Sequence, residues 1–161
     1  MLATIYGLAT VLSIGAGLVV GRLVKSGWSV TRARKTSMFI FALCVIPIVL
    51  VKDVGNWPAV LIIGFACSAH QAWSANLFTT ASDMFPKRAV ASVVGLGGMA
   101  GSVVGIFFPI MAGRLLDAFK AQNNVSGGYA VLFGICASAY IVAFILQHLL
   151  APKFEMVQLK A

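Results

Sequence analysis

Residues 70–117 read H-Q-A-W-S-A-N-L-F-T-T-A-S-D-M-F-P-K-R-A-V-A-S-V-V-G-L-G-G-M-A-G-S-V-V-G-I-F-F-P-I-M-A-G-R-L-L-D, from His70 to Asp117. An apolar run that carries polar side chains ends in the short charged hairpin S-D-M-F-P-K-R. A second apolar run follows, with Gly97, Gly101, Gly105, Pro109 and Gly113 spaced four apart. Four residues is slightly more than one helical turn, so these positions form a slowly drifting stripe without side chains. Such a stripe lets a neighbouring backbone approach closely in an apolar environment. A polar-bearing helix beside a thin, glycine-lined one is the pairing expected where a membrane protein lines a solute path.

Composition sets the class. The chain has 161 residues, 60% of them hydrophobic and only 10% charged, too few charges to cover a water-soluble domain of this size. The charges cluster in short islands, leaving five apolar stretches at residues 2–20, 36–51, 57–82, 89–113 and 129–150. Crossing a bilayer takes about 20 residues as a helix, and backbone groups in lipid must bond internally. Four stretches meet that length. The second is short, but Lys35 and Lys52 flank it and can snorkel. The expected fold is all-α: a polytopic transmembrane bundle of five spans.

A net charge of +8 raises nucleic acid as a partner, but the placement of the charge follows topology instead. The segments after the first, third and fifth stretches hold Arg22, Lys25, Arg32, Arg34, Lys35, Lys87, Arg88, Lys153 and Lys160, against Lys52, Arg114 and Lys120 elsewhere. The positive-inside rule then puts the first set and the C-terminus in the cytoplasm, with Met1 outside. The 22–35 segment also offers a basic patch for an anionic lipid surface. No charge precedes the first span, and neither a basic leader nor a small-residue cleavage site is present. An odd number of spans starting outside reads as the C-terminal part of a longer protein; a five-span protein inserted by its following charges is the alternative.

The run Gly17-x-x-x-Gly21-Arg22-Leu23-Val24-Lys25-Ser26-Gly27-Trp28, continuing to Arg32-Ala33-Arg34-Lys35, resembles the G-x-x-x-D-R-x-G-R-R/K loop signature of the major facilitator superfamily. Gly21 stands where the signature has Asp, which suits the weaker copy between spans eight and nine. The S-D-M-F-P-K-R hairpin resembles the loop between spans ten and eleven. Within the superfamily, S-A-H-Q-A-W-S-A-N-L-F-T-T-A-S-D-M-F-P-K-R, G-W-S-V-T-R-A-R-K-T and A-S-V-V-G-L-G-G-M-A-G are similar to the hexuronate carriers of the anion:cation symporter family. The resemblance implies spans eight to twelve of a twelve-span carrier in a bacterial inner membrane. It also implies uptake of galacturonate or glucuronate with protons.

On the polar run, Gln71, Ser74, Phe78 and Ser82 share one helical face, with Trp73, Asn76, Thr80 and Asp83 opposite and His70 at the edge. Unpartnered polar groups in lipid cost several kcal/mol, so neither face is wholly lipid-exposed. In the resembled family a Trp commonly stands five positions before the loop Asp and lines the sugar-acid site, and Phe78 occupies that place here. Gln71, Ser74 and Phe78, with His70 and Asn76, are therefore the expected substrate-binding residues. The alternative for the same polar groups is helix-to-helix bonding. His70 is the ionisable side chain deep in a span and suits either proton coupling or a bond to a neighbouring helix.

Asp53, Asp83, Asp117 and Glu155 all lie at span ends, leaving no carboxylate mid-membrane to carry a proton and no deep Arg or Lys to hold a substrate carboxylate. In the resembled family the N-terminal half supplies both, so a missing N-terminal bundle is an expected partner, besides lipid, the sugar acid and protons. Gly97, Gly101, Gly105 and Pro109 are expected to serve close packing and the rocking of one bundle on another. Relatives often carry Asn at the places of Gly98 and Ser102, which puts a residue-by-residue transfer of site chemistry in doubt. Arg22, Asp83, Lys87 and Arg88, with Arg32, Arg34 and Lys35, are expected to form cytoplasmic gate bridges. Cys44, Cys67 and Cys136 sit on separate runs and make neither a metal site nor a disulfide; no cofactor and no catalytic motif is expected. A non-transporting subunit that packs through the glycine stripe is the second functional class.

Overall fold

The computed structural model describes residues 1–157, so Lys160 of the expected inner charge set lies outside the described residues. Five α-helices follow one another: α1 (Leu2–Lys25), α2 (Val30–Val45), α3 (Asn56–Met84), α4 (Lys87–Ala121) and α5 (Val125–Leu150). A 3₁₀ segment, Ile46–Asp53, continues α2. Pro47 stands in its first turn. With no N–H to give, Pro47 cannot complete the α-helical ladder there, and the chain tightens instead. The protein is a polytopic all-helical bundle.

Local chemistry explains the boundaries. Helix α1 stops where Gly27 takes a left-handed φ of 95°. The Gly27 N–H bonds the Val24 carbonyl at 3.1 Å and the Trp28 N–H bonds the Leu23 carbonyl at 3.2 Å. That pair of bonds is a Schellman ending, which favours glycine at this position because a Cβ is strained there. Ser29 then caps α2, its hydroxyl accepting the Arg32 N–H at 3.3 Å. The second helix thus starts at Val30, six residues ahead of the expected apolar stretch, and Arg32, Arg34 and Lys35 become helical instead of loop residues. Between α3 and α4 only Phe85 and Pro86 intervene; the residue before proline is driven to extended backbone, and Phe85 has φ −117° and ψ 145°.

Four helical segments, Leu2–Lys25, Val30–Asp53, Lys87–Ala121 and Val125–Leu150, are long and apolar enough to cross a membrane. The expected third span became α3, which is 29 residues long. Its C-terminal half carries His70, Gln71, Asn76 and Asp83, and this polar load keeps it out of that set. It is also the helix most covered by its neighbours: Val60, Ala66, Ala69, Ala72, Trp73, Asn76 and Thr80 are among its buried residues. The arrangement shelters the polar residues of α3 chiefly against α1 and α2, which suits a lipid solvent.

The interior is rich in small side chains, with Met38 and Trp73 among its few large ones. Ala9, Ala33, Ala42, Ala66, Ala69, Ala72 and Ala137 are buried, while Leu2, Val11, Leu96, Met99, Phe107 and Leu149 are exposed. Lipid tails solvate large apolar groups as well as protein does, so helices there gain most from close backbone approach. One such approach is at Gly64: a Cβ there would lie 3.0 Å from Leu8 Cδ1 and 3.2 Å from Leu8 Cβ. Another is at Gly128 against Leu116 and Phe119, both at 3.1 Å. The close contact expected at the α4 stripe is not made within this chain. Nothing lies within 4 Å of a Cβ built at Gly97, Gly101, Gly105 or Gly113. Helix α4 meets α5 and α3 through other residues and has no buried residue of its own.

Candidate functional site

The polar residues of α3 disperse towards four neighbours, α1, α4, α5 and, through Asn76 and Asp83, α2. Towards α1, the Ser13 hydroxyl donates to Gln71 Oε1 at 3.0 Å. Towards α4, Ser74 and Phe78 line a cavity of about 450 Å³ with Leu77, Val94, Gly97 and Gly101. Towards α5, His70 Nδ1 is hydrogen-bonded to the Tyr140 hydroxyl. Asn76 points inward and is committed: its Nδ2 donates to the Ala72 carbonyl at 2.9 Å, and its Oδ1 accepts from Arg34 at 3.1 Å. Of the five residues expected to bind substrate, the structure brings only Ser74 and Phe78 into one cavity.

That cavity joins the two halves of the stretch from His70 to Asp117. Its walls are the polar helix on one side and the start of the glycine stripe on the other, with room open because Gly97 and Gly101 lack side chains. The lining is mostly apolar, with the Ser74 and Thr80 hydroxyls as the polar groups and the Phe78 ring as the flat surface. The Thr80 hydroxyl already donates to the Leu77 carbonyl. Ser74 keeps a hydroxyl for a polar solute, and Phe78 offers a face against which a ring can pack.

A second cluster was not legible as a unit in the sequence. Arg34 Nε pairs with Asp83 Oδ2 at 2.8 Å, and the Arg34 side chain is only 17% exposed. The same guanidinium donates to Asn76. Helix α2 is thereby tied to two points on α3 seven residues apart, about two turns. A cavity of about 410 Å³ opens beside this cluster, lined by Gly17, Gly21, Lys25, Arg34, Asn76 and Thr79. Of the residues expected to form gate bridges, Asp83 finds Arg34, whereas Arg22, Lys87 and Arg88 make no salt bridge among the described residues. Lys87 and Arg88 begin α4 and face solvent.

On the α5 side, Tyr140 is the hub. Its ring stands edge-on to Trp73 at 5.6 Å between centroids, and to His70 at 5.9 Å. Trp73 is buried, and its indole N–H has no hydrogen-bond partner among the described residues. The ring fits, but the donor is stranded.

A bundle with large apolar groups outside, small ones inside, and polar residues gathered on one sheltered helix is a helical membrane protein. Comparison with known proteins adds a relationship to a transporter. The chain is 30% identical over 105 residues to the hexuronate transporter of Escherichia coli strain K12 and to that of Escherichia coli O157:H7. The matched region is 62% of this chain and 22% of each relative, so the chain spans about a fifth of the length of these curated relatives. No protein-family profile matches the chain, and no solved structure matches it.

Proposed function

We propose that this chain is part of a secondary active transporter for a sugar acid, a hexuronate such as galacturonate or glucuronate, taken up with protons. The observation that carries the reading is the 30% identity over 105 residues to the hexuronate transporters of Escherichia coli. The cavity between α3 and α4 supports it, because Ser74 and Phe78 are the residues through which a sugar would be touched. On this reading residues 1–161 form the greater part of the C-terminal bundle of a major facilitator of the anion:cation symporter family. They would supply spans eight to twelve in a bacterial inner membrane, with Met1 periplasmic and the C-terminus cytoplasmic. The wall is sugar-facing. A cation for the substrate carboxylate and a carboxylate for the proton belong to the N-terminal bundle, the partner this reading requires.

The exposed length of α4 favours a second reading, a membrane subunit that packs on another protein through this helix and transports nothing. Uptake of labelled galacturonate separates the two. Cells carrying residues 1–161 joined to the upstream reading frame are expected to take up the label in a proton-dependent manner, and cells carrying residues 1–161 alone are not. Phe78→Ala and Ser74→Ala in the joined protein are expected to lower uptake at unchanged membrane levels. Unchanged uptake in both variants removes the assigned wall, and an upstream frame unrelated to transporters removes the transport reading.

A further inference from the structure

A third cavity, of about 520 Å³, lies at the N-terminal end of α2, away from the α3–α4 wall. Three cations line it, Arg32, Lys35 and Lys153, together with the hydroxyl-bearing Ser29, Thr31 and Thr36. Glu155 is the opposing charge there, and it lies 3.7 Å from Lys153, so the lining keeps an excess of positive charge. Arg32 forms no salt bridge among the described residues; its guanidinium rests 4.5 Å above the Trp28 ring.

The tail after α5 builds the other wall. The Phe154 N–H donates to Thr31 Oγ1 at 3.0 Å, and the Phe154 ring is buried. Lys35 Nζ donates to the Pro152 carbonyl at 2.9 Å, lies 3.2 Å from His148 Nδ1, and sits 5.4 Å from the centre of the Phe154 ring. The tail therefore fixes Lys35 at the cavity and brings the exposed Lys153 to its rim.

Two further features decide what occupies the cavity. Trp28, under the Arg32 guanidinium, is the residue type enriched at headgroup depth, between apolar core and water. From Arg32 the helix runs away as Arg32, Thr36, Phe39 and Leu43, at i, i+4, i+7 and i+11, which share one face. Phe39 and Leu43 are both exposed. The cationic cavity therefore opens at the head of an exposed apolar ridge on a membrane-length segment, and that ridge runs where an acyl chain would lie.

We propose that this cavity binds the phosphate headgroup of an anionic phospholipid, with the acyl chain along Phe39 and Leu43. Arg32 and Lys153 engage the phosphodiester from two sides, and the Ser29 and Thr36 hydroxyls donate to its oxygens or to a glycerol headgroup. The proposal does not rest on the transport reading; it needs only α2, the tail and a bilayer.

Native mass spectrometry of the purified full chain, delipidated in mild detergent, tests it with dioctanoylphosphatidylglycerol, dioctanoylphosphatidylcholine and inorganic phosphate as probes. The phosphatidylglycerol is expected to be retained and the phosphatidylcholine lost, a comparison that needs no variant. Arg32→Gln with Lys153→Gln is expected to weaken retention on the order of tenfold. The charge-matched pair Arg114→Gln with Lys120→Gln is expected to leave it unchanged, all chains keeping parental helicity by circular dichroism. Equal retention of the two lipids, or undiminished retention by the folded Arg32→Gln/Lys153→Gln chain, overturns the proposal. Displacement of the lipid by inorganic phosphate at equal concentration overturns the lipid assignment and makes the cavity a site for a free anion.

Discussion

Arg34 and Asp83 stand 49 positions apart in the chain and meet at 2.8 Å between α2 and α3. Both side chains are largely withdrawn from water, at 17% and 23% exposure. A pair so placed differs from Lys153 and Glu155, which are 3.7 Å apart at 75% exposure and contribute little. Replacing one partner of the inner pair strands the other charge among helices.

Arg34→Gln and Asp83→Asn are therefore each expected to lower stability by about 2 kcal/mol. The double variant is expected to lose less than the two losses added, because neither charge is left alone. Unfolding in a denaturing detergent titration reads both quantities. Additive losses would show that the two side chains do not act as a pair.

His70 and Tyr140 tie α3 to α5. Tyr140→Phe keeps the ring beside Trp73 and removes the hydroxyl that bonds His70. About 1 kcal/mol of stability is expected to go with it. His70→Phe is expected to cost a similar amount, and the pair of changes together little more than either alone, as a double-mutant cycle would record.

Trp73→Phe goes the other way. The indole N–H is buried without a partner among the described residues, so the substitution removes an unsatisfied donor while keeping an aromatic ring. The expected result is a chain at least as stable as the parent, because relief of an unmet donor, about 1–3 kcal/mol, offsets the smaller ring's lost contacts. A loss above about 2 kcal/mol in the same titration would mean that the N–H has a partner in the membrane-embedded protein.

Two glycine substitutions should separate contact from opportunity. Gly64→Ala forces a Cβ to 3.2 Å from Leu8 Cβ, which cannot swing aside, and is expected to cost about 1–2 kcal/mol by pushing α1 off α3. Gly101→Ala meets nothing within 4 Å. In the isolated chain it is expected to be neutral or stabilising by up to about 1 kcal/mol, since alanine suits a helix interior better. In the protein joined to its upstream sequence the same change is expected to lower galacturonate uptake if another bundle packs on the stripe. Measuring stability in one and uptake in the other tests both halves of the expectation.

The contrast also marks what could be read from the sequence. Scarce charge and long apolar runs were enough for an all-helical membrane bundle, because lipid allows few alternatives to helices. Phe85-Pro86 likewise announced a break by local sterics. The stripe in α4 advertised an approach, but spacing records only that a backbone is permitted near, and α3 faces the start of the stripe across a cavity. Gly64, which carries a real contact, stands in the less conspicuous small-residue series Gly64, Ser68 and Ala72, and Gly128 in none. Arg34 stood among the expected bridge residues, but nothing local singled it out, because Arg32-Ala33-Arg34-Lys35 looks like a solvated charge run. Only the cap at Ser29 and the burial of Ala33 and Ser37 turn Arg34 towards α3 while Arg32 faces away. Gln71 and His70 each bond a neighbouring helix, but which partner each takes depends on where α1 and α5 lie, information held more than fifty residues away for Gln71.

The tail that crosses the end of the bundle has a consequence for how the protein is made. Phe154 reaches Thr31 across 123 positions of sequence, and the Val157 N–H bonds the Met84 carbonyl at 2.7 Å. A ribosome delivers α2 and α3 to the membrane long before it delivers these residues. Until the tail emerges, Thr31 lacks its partner, Lys35 has no carbonyl to meet, and the last turn of α3 ends in an open carbonyl. The end of the bundle is thus closed from behind, by the residues translated last among those that build it, and a nascent chain halted after α5 would be a set of inserted helices without its clasp.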